Sequence, residues 1–155
     1  MSSNHKHNID KHSKMELAIF NVGKIICALK SIEVQEIIKN QEITTVHHAP
    51  DYVRGVINLR GQIVTIISMR KKFKMNNQGK SASSEQQIVI VKMGEESVGL
   101  LVDTVDDILL ADTDNVEPPP SNIRGVRGDY FNGIFKKDDA LVAILNIHEI
   151  LTVND

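Results

Sequence analysis

The side chains of this chain that could do chemistry fall into a few short clusters, each implying a different reaction. Asp103, Asp106, Asp107, Asp112 and Asp114 form an acidic run, and paired carboxylates can hold Mg²⁺ or pass protons. No glycine-rich phosphate loop, no nucleophile beside a base and no calcium-loop spacing accompanies them. The run therefore reads as a solvated strand edge and loop, whose charge discourages edge-to-edge pairing. His5, His7 and His12 could ligate a metal ion, but they lie in the polar stretch 1–14, which offers no cysteine or placed carboxylate to complete the set. His47 and His48 are adjacent, and on a strand would face opposite sides. The single cysteine, Cys27, sits in Ile25-Ile26-Cys27-Ala28-Leu29 with nothing near it to activate a thiolate, so it reads as a buried structural thiol. Arg127-Gly128-Asp129 matches a tripeptide read by some cell-surface receptors, yet three residues specify little, and Arg124-Gly125 and Arg127-Gly128 suit an irregular loop before the last hairpin. The expectation is a non-catalytic protein with no metal and no cofactor.

One cluster is left. Asn58-Leu59-Arg60-Gly61 stands where the chain must reverse between Val56-Ile57 and Ile63-Val64-Thr65-Ile66-Ile67. Gly61 can supply the positive φ of a tight turn, whereas Leu59 and Arg60 are more than a turn needs. An apolar side chain and a planar five-donor fork at a rigid tip have the makeup of an interface anchor. Equally, Leu59 can pack inward while Arg60 makes a local salt bridge.

The elements that must position these residues are strands. Short β-branched runs separated by turn signals cover 17–22, 25–29, 34–38, 87–93, 97–102, 105–110, 131–135 and 140–145, the spacing of an all-β barrel or sandwich. Residues 1–14 read as a disordered polar tail and 74–85 as a loop. Pro118-Pro119-Pro120 forbids helix and interior strand alike. Asn146 and Glu149 are placed to cap a short C-terminal helix. A chain of 155 residues, 41% hydrophobic, can bury one core or two small lobes. Its net charge of −2 favours neither nucleic acid nor an anionic membrane. No apolar run approaches the roughly 20 residues of a membrane-spanning helix and no leader opens the chain, so the reading is a soluble, cytoplasmic protein.

The chain also repeats itself. Gly23, Ala28, Leu29, Val34, Glu36 and Ile37 recur 71 residues later as Gly94, Gly99, Leu100, Val105, Asp107 and Ile108. Gly55, Val56, Val64, Ile66 and Ile67 recur at a spacing of 78 as Gly133, Ile134, Val142, Ile144 and Leu145. Two similar β-lobes, packed on each other within one domain over 15–155, are expected. At the second spacing Asn58-Leu59-Arg60-Gly61 faces Lys136-Lys137-Asp138-Asp139, a generic charged turn.

The stretch from Ala49 to Val64, with its core Gly55-Val56-Ile57-Asn58-Leu59-Arg60-Gly61, resembles the CheW family of bacterial chemotaxis coupling proteins. So do Val34-Gln35-Glu36-Ile37, Val98 to Asp103 and the closing hairpin with residues 147–151. The resemblance implies two SH3-like five-stranded β-barrel lobes around a shared core. It also implies an adaptor that binds the regulatory domain of a CheA-type histidine kinase and the cytoplasmic tip of methyl-accepting chemoreceptors, in membrane-associated arrays. It assigns partner binding to Gly55, Asn58 and Arg60, with Leu59 beside them, and to Val34 and Glu36 on the first lobe. Gly99, Val105 and Ile108 match second-lobe positions near a receptor-facing groove. Family members usually carry proline and aspartate where this chain has Thr65 and Ser68. Loss of that aspartate is expected to remove a charge next to Arg60 and leaves room for a paralogue serving another chemosensory or motility pathway. Fusion to a receiver domain is not expected, because the sequence leaves no room for one after Asp155.

Overall fold

The computed structural model describes residues 13–75 and 85–152, so most of the polar stretch 1–14 and of the loop 74–85 lies outside the described residues. The strands are β1 (Lys14–Val22), β2 (Ile25–Lys30), β3 (Val34–Lys39), β4 (Val53–Leu59), β5 (Gln62–Ser68), β6 (Gln87–Met93), β7 (Glu96–Val102), β8 (Thr104–Asp112), β9 (Asn122–Ile123), β10 (Val126–Arg127), β11 (Phe131–Lys137) and β12 (Ala140–Leu145). Two short helices, α1 (Met69–Lys72) and α2 (Ile147–Leu151), follow β5 and β12. Lys14, expected in the tail, pairs with Asp112 as the first residue of β1. Segment 118–121 is neither helix nor strand, as its prolines require.

Ten strands form two five-stranded sheets, ordered β11-β12-β2-β1-β8 and β3-β6-β7-β5-β4. Exchanging β1 for β6, β2 for β7, β8 for β3, β11 for β4 and β12 for β5 turns one order into the other. The sheets are thus alike, but neither is one half of the chain. Each half keeps its first two strands in one sheet and sends the remaining three to the other, so the lobes are interleaved. The crossing follows the 3₁₀ turn Ser31–Glu33 in the first half and Asp103 in the second. The ladders slip at matching places, after Val34 in β3 and after Val105 in β8, and between Val53/Gly55 and Phe131/Gly133. Each slip is a bulge that bends its strand.

Burial explains why the central strands read as nearly continuous apolar runs. In β6, Ile88 and Ile90 face a core inside their own sheet, while Val89 and Val91 face a core shared by both sheets. β12 divides likewise, with Val142 and Ile144 inside and Ala143 and Leu145 shared. A strand covered on both faces has no polar side to show. The edge strand β3 has one covered face and keeps the alternation, half-buried at Val34, Glu36 and Ile38 and exposed between them.

Cys27 lies in the shared core with no exposed surface. Burial, with the charge of Asp103 adding to it, pushes its thiol far above the ordinary range. Such a group binds its proton in the folded state and releases it in the unfolded one once the pH passes about 8.5. Its contribution to stability is therefore whole below that pH and declines as pH rises above it. A thiol reagent at pH 8 is expected to leave the native protein unlabelled and to titrate one thiol after unfolding in urea; rapid native labelling would contradict this burial.

Both helices are placed by caps. Asn146 Oδ1 accepts from the Glu149 N–H at 3.2 Å, the cap expected for α2. Helix α1 was not expected; its signal is Ser68, whose Oγ accepts from the Lys71 N–H at 3.2 Å. This cap also corrects the expectation for Ser68. The residue ends β5, whereas Arg60 precedes its start, and six strand residues put about 20 Å between them. A carboxylate at Ser68 would stand beside a helix start, remote from Arg60.

Candidate protein-binding site

The β4–β5 hairpin pairs Leu59 with Gln62, leaving a two-residue loop of Arg60 and Gly61. Both have positive φ, 51° and 88°, as the turn that matches the twist of a hairpin requires. Asn58 Oδ1 accepts from the Gly61 N–H at 2.9 Å and locks the turn. The device occurs twice. Asn122-Ile123-Arg124-Gly125 joins β9 to β10 with φ of 49° and 91° at its arginine and glycine, and Asn122 Oδ1 accepts from Gly125 N–H at 2.9 Å. Asparagine and glycine make the turn; arginine is the residue it presents, held in a left-handed conformation that costs a non-glycine residue roughly 1–2 kcal/mol.

Arg60 pairs with Glu36. Glu36 is on β3 and Arg60 follows β4, the two opposite edges of one sheet. In a flat five-stranded sheet those edges would stand about 19 Å apart. The ion pair therefore staples a sheet that has curled until its edges meet. Leu59 turns inward, half-buried against the core of this sheet. Both local roles weighed from the sequence are thus realised, yet Arg60 keeps 66% of its side chain exposed. The staple is held out to solvent at a fixed place.

The other sheet lacks this staple. Residues equivalent to Glu36 and Arg60 are Asp107 and Asp138, two acids, and both line an open cavity of about 510 Å³ walled by Ile26, Ile108, Leu109 and Val142. Asp138 takes its charge partner from Lys137, at 3.4 Å. Asp138→Arg is expected to close this seam onto Asp107. An exposed pair contributes at most about 1 kcal/mol, a rise of roughly 2–4 °C in melting midpoint; no rise, or a rise that persists with Asp107→Asn, would refute the equivalence.

The remaining candidates divide by location. Val34 and Val105 hold equivalent positions, each half-buried against the shared core. Ile108 is 52% exposed on the edge strand β8. Gly99, expected on the same lobe as Val105 and Ile108, lies on β7 in the other sheet, because the third strand of each half crosses over. Gly99 and Gly55 are buried. A Cβ on Gly99 would come within 2.6 Å of Ile66, and one on Gly55 within 2.1 Å of the Thr44 carbonyl oxygen. So the structure brings together Glu36, Asn58, Leu59 and Arg60, with Val34 on the same strand as Glu36, and sets Val105 and Ile108 apart.

Sequence reasoning overlooked Ile63. It pairs with Asn58 across the hairpin and is 65% exposed; its signal was the alternation that sends Val64 inward. Asp103 also departs from expectation. It is buried, and both its oxygens are bound by Arg70, at 2.9 and 2.8 Å. His47 and His48 form a turn, with no strand to set them on opposite faces. Arg127 pairs with Asp129 at 3.1 Å, and buried Gly128 lies against the Pro120 carbonyl, so the tripeptide is folded into its own loop. Among the described residues no cluster of His, Cys, Asp and Glu could hold a metal ion, and no helix is long and apolar enough to cross a membrane.

Comparison with known proteins agrees with this architecture. The crystal structure of the scaffolding protein TtCheW from Thermoanaerobacter tengcongensis superposes with a TM-score of 0.83 at 30% identity, covering 92% of this chain and 90% of that one. The chemotaxis protein CheW of Klebsiella aerogenes is 30% identical over 137 residues, 88% of this chain and 81% of that protein. That of Treponema pallidum is 26% identical over 141 residues, 90% of this chain and 83% of that one. The family model described as a CheW-like domain matches residues 16–154, and with nearly its whole length so matched the chain belongs to the CheW family.

Proposed function

We propose that this protein is a non-catalytic adaptor that couples methyl-accepting chemoreceptors to a CheA-type histidine kinase. In this reading the kinase regulatory domain engages the stapled seam, with Arg60, Glu36, Asn58 and Leu59 at its centre and Val34 beside it. The cytoplasmic receptor tip engages the edge strand β8 through Val105 and Ile108. Gly55 serves by admitting the Thr44 carbonyl, and Gly99 by leaving room for the Ile66 and Ile88 side chains. The observation that carries the proposal is the Arg60 fork, fixed by its turn and by Glu36 and still largely exposed. The protein works in the cytoplasm, recruited to membrane-associated receptor arrays, where modest affinities gain from many linked contacts.

Calorimetric titration against the kinase regulatory domain tests this. Arg60→Ala is expected to weaken binding by about 2 kcal/mol, near thirtyfold. Its melting midpoint should fall by no more than about 2–4 °C, because an ion pair this exposed contributes at most about 1 kcal/mol. Intact binding by a destabilised variant would leave Arg60 as a staple alone. Binding confined to another kinase of the same cell would assign the protein to a second chemosensory pathway.

A further inference from the structure

The Asn-Ile-Arg-Gly turn of β9–β10 has no part in the seam, and its arginine has a different setting. Arg124 lines a cavity of about 710 Å³ together with Lys24, Lys74 and Arg70, over a floor that includes Ile25 and Phe73; among the described residues no carboxylate lines it. Arg70 is neutralised by Asp103. Lys24, Lys74 and Arg124 are exposed, and among the described residues none forms an ion pair. They come from three separate tight turns in a chain of net charge −2.

Two of the three cations occupy backbone positions that favour glycine. Helix α1 ends with the Met75 N–H donating to Arg70 O and the Lys74 N–H to Lys71 O, each at 2.9 Å. These are the two bonds of the motif whose left-handed residue is usually glycine; here it is Lys74, with φ 60°. Arg124 is left-handed too, with φ 49°. Strained backbone of this sort clusters at functional sites. A cleft lined by one sign of charge concentrates ligands of the other, and the arginine fork suits phosphate oxygens. The volume is that of a small-molecule site.

We propose that this cavity binds a small polyvalent oxyanion, the phosphate chain of a nucleotide or of an inorganic polyphosphate, held by Lys24, Lys74 and Arg124. The site is separate from the proposed partner surfaces, and its test needs no partner. The full chain is titrated by calorimetry with inorganic tripolyphosphate, ATP and adenosine. Saturable binding of one tripolyphosphate per chain is expected, weakening as salt is raised. Tighter binding of ATP, with none of adenosine, identifies a nucleotide; equal binding of both phosphates identifies a polyphosphate. Lys74→Gly and Arg124→Gly should each weaken binding at least tenfold while the melting temperature holds or rises, since glycine relieves the left-handed backbone. Three results would overturn the proposal. The first is unsaturable binding, and the second is binding that both variants retain. The third is failure of tripolyphosphate to bind; an octaglutamate peptide that binds instead would give the face to an acidic protein segment.

Discussion

Arg70→Ala is expected to remove about 3–5 kcal/mol of folding stability, the cost of stranding one member of a buried ion pair. Arg70 donates from Nε and Nη2 to the two oxygens of Asp103, at 2.9 and 2.8 Å. The Gly23 N–H donates to the same carboxylate at 2.8 Å. The side chains are only 16% and 12% exposed, so water and salt screen the pair weakly. The hydrogen bond to Asp103 raises the Arg70 pKa further, against the opposing effect of burial. Three segments meet here: helix α1, the β1–β2 turn and the crossing from β7 to β8, which belong to different sheets. Urea denaturation of Arg70→Ala and Asp103→Ala measures the loss. Arg70→Met with Asp103→Leu should recover most of it, because the pair is costly to break and much less costly to replace. A loss under about 1 kcal/mol for Arg70→Ala would place the pair effectively in solvent.

The second large effect is expected at Gly55. Its φ is 149°, and an added methyl would lie 2.1 Å from the Thr44 carbonyl oxygen. The approach cannot relax cheaply, because Thr44 and Val56 exchange backbone hydrogen bonds at 2.9 and 2.8 Å beside it. Strain at the φ and overpacking each cost about 1–3 kcal/mol, so Gly55→Ala should lose roughly 3 kcal/mol or more. A methyl on the equivalent Gly133 would meet Val116 Cγ1 at 2.6 Å and the Glu117 carbonyl oxygen at 3.0 Å; the nearer is a side chain that can turn away, so Gly133→Ala provides an internal comparison and should cost less. Circular dichroism melts read both. Loss of kinase binding by Gly55→Ala would then follow from the fold, whereas the loss in Arg60→Ala would arise in a folded protein. A Gly55→Ala variant that melts like the wild type and fails to bind would reverse that assignment and put Gly55 itself in the interface.

What the sequence determined by itself is local. Strand positions were legible because β-branched runs and glycine turns act over a few residues. The repeat was legible because both halves use the same bulges and turns. Asn146 announced α2 through its cap, and Ser68 offered the same signal for α1. What only the tertiary structure decided are pairings between distant parts of the chain. Nothing in β3 says that it will leave the strands before it and join β6. That exchange, together with the curl of the sheet, puts Glu36 within reach of Arg60, 24 residues away, and the matching crossing of β8 separates Gly99 from Val105. Asp103 reads like its acidic neighbours until the crossing from β7 to β8 carries it to Arg70, 33 residues away. Strand formation depends on backbone preferences and side-chain period, which each segment carries within itself. Which edges meet, and so which charges are paired, depends on how both sheets curl over a shared core, a property of the whole chain.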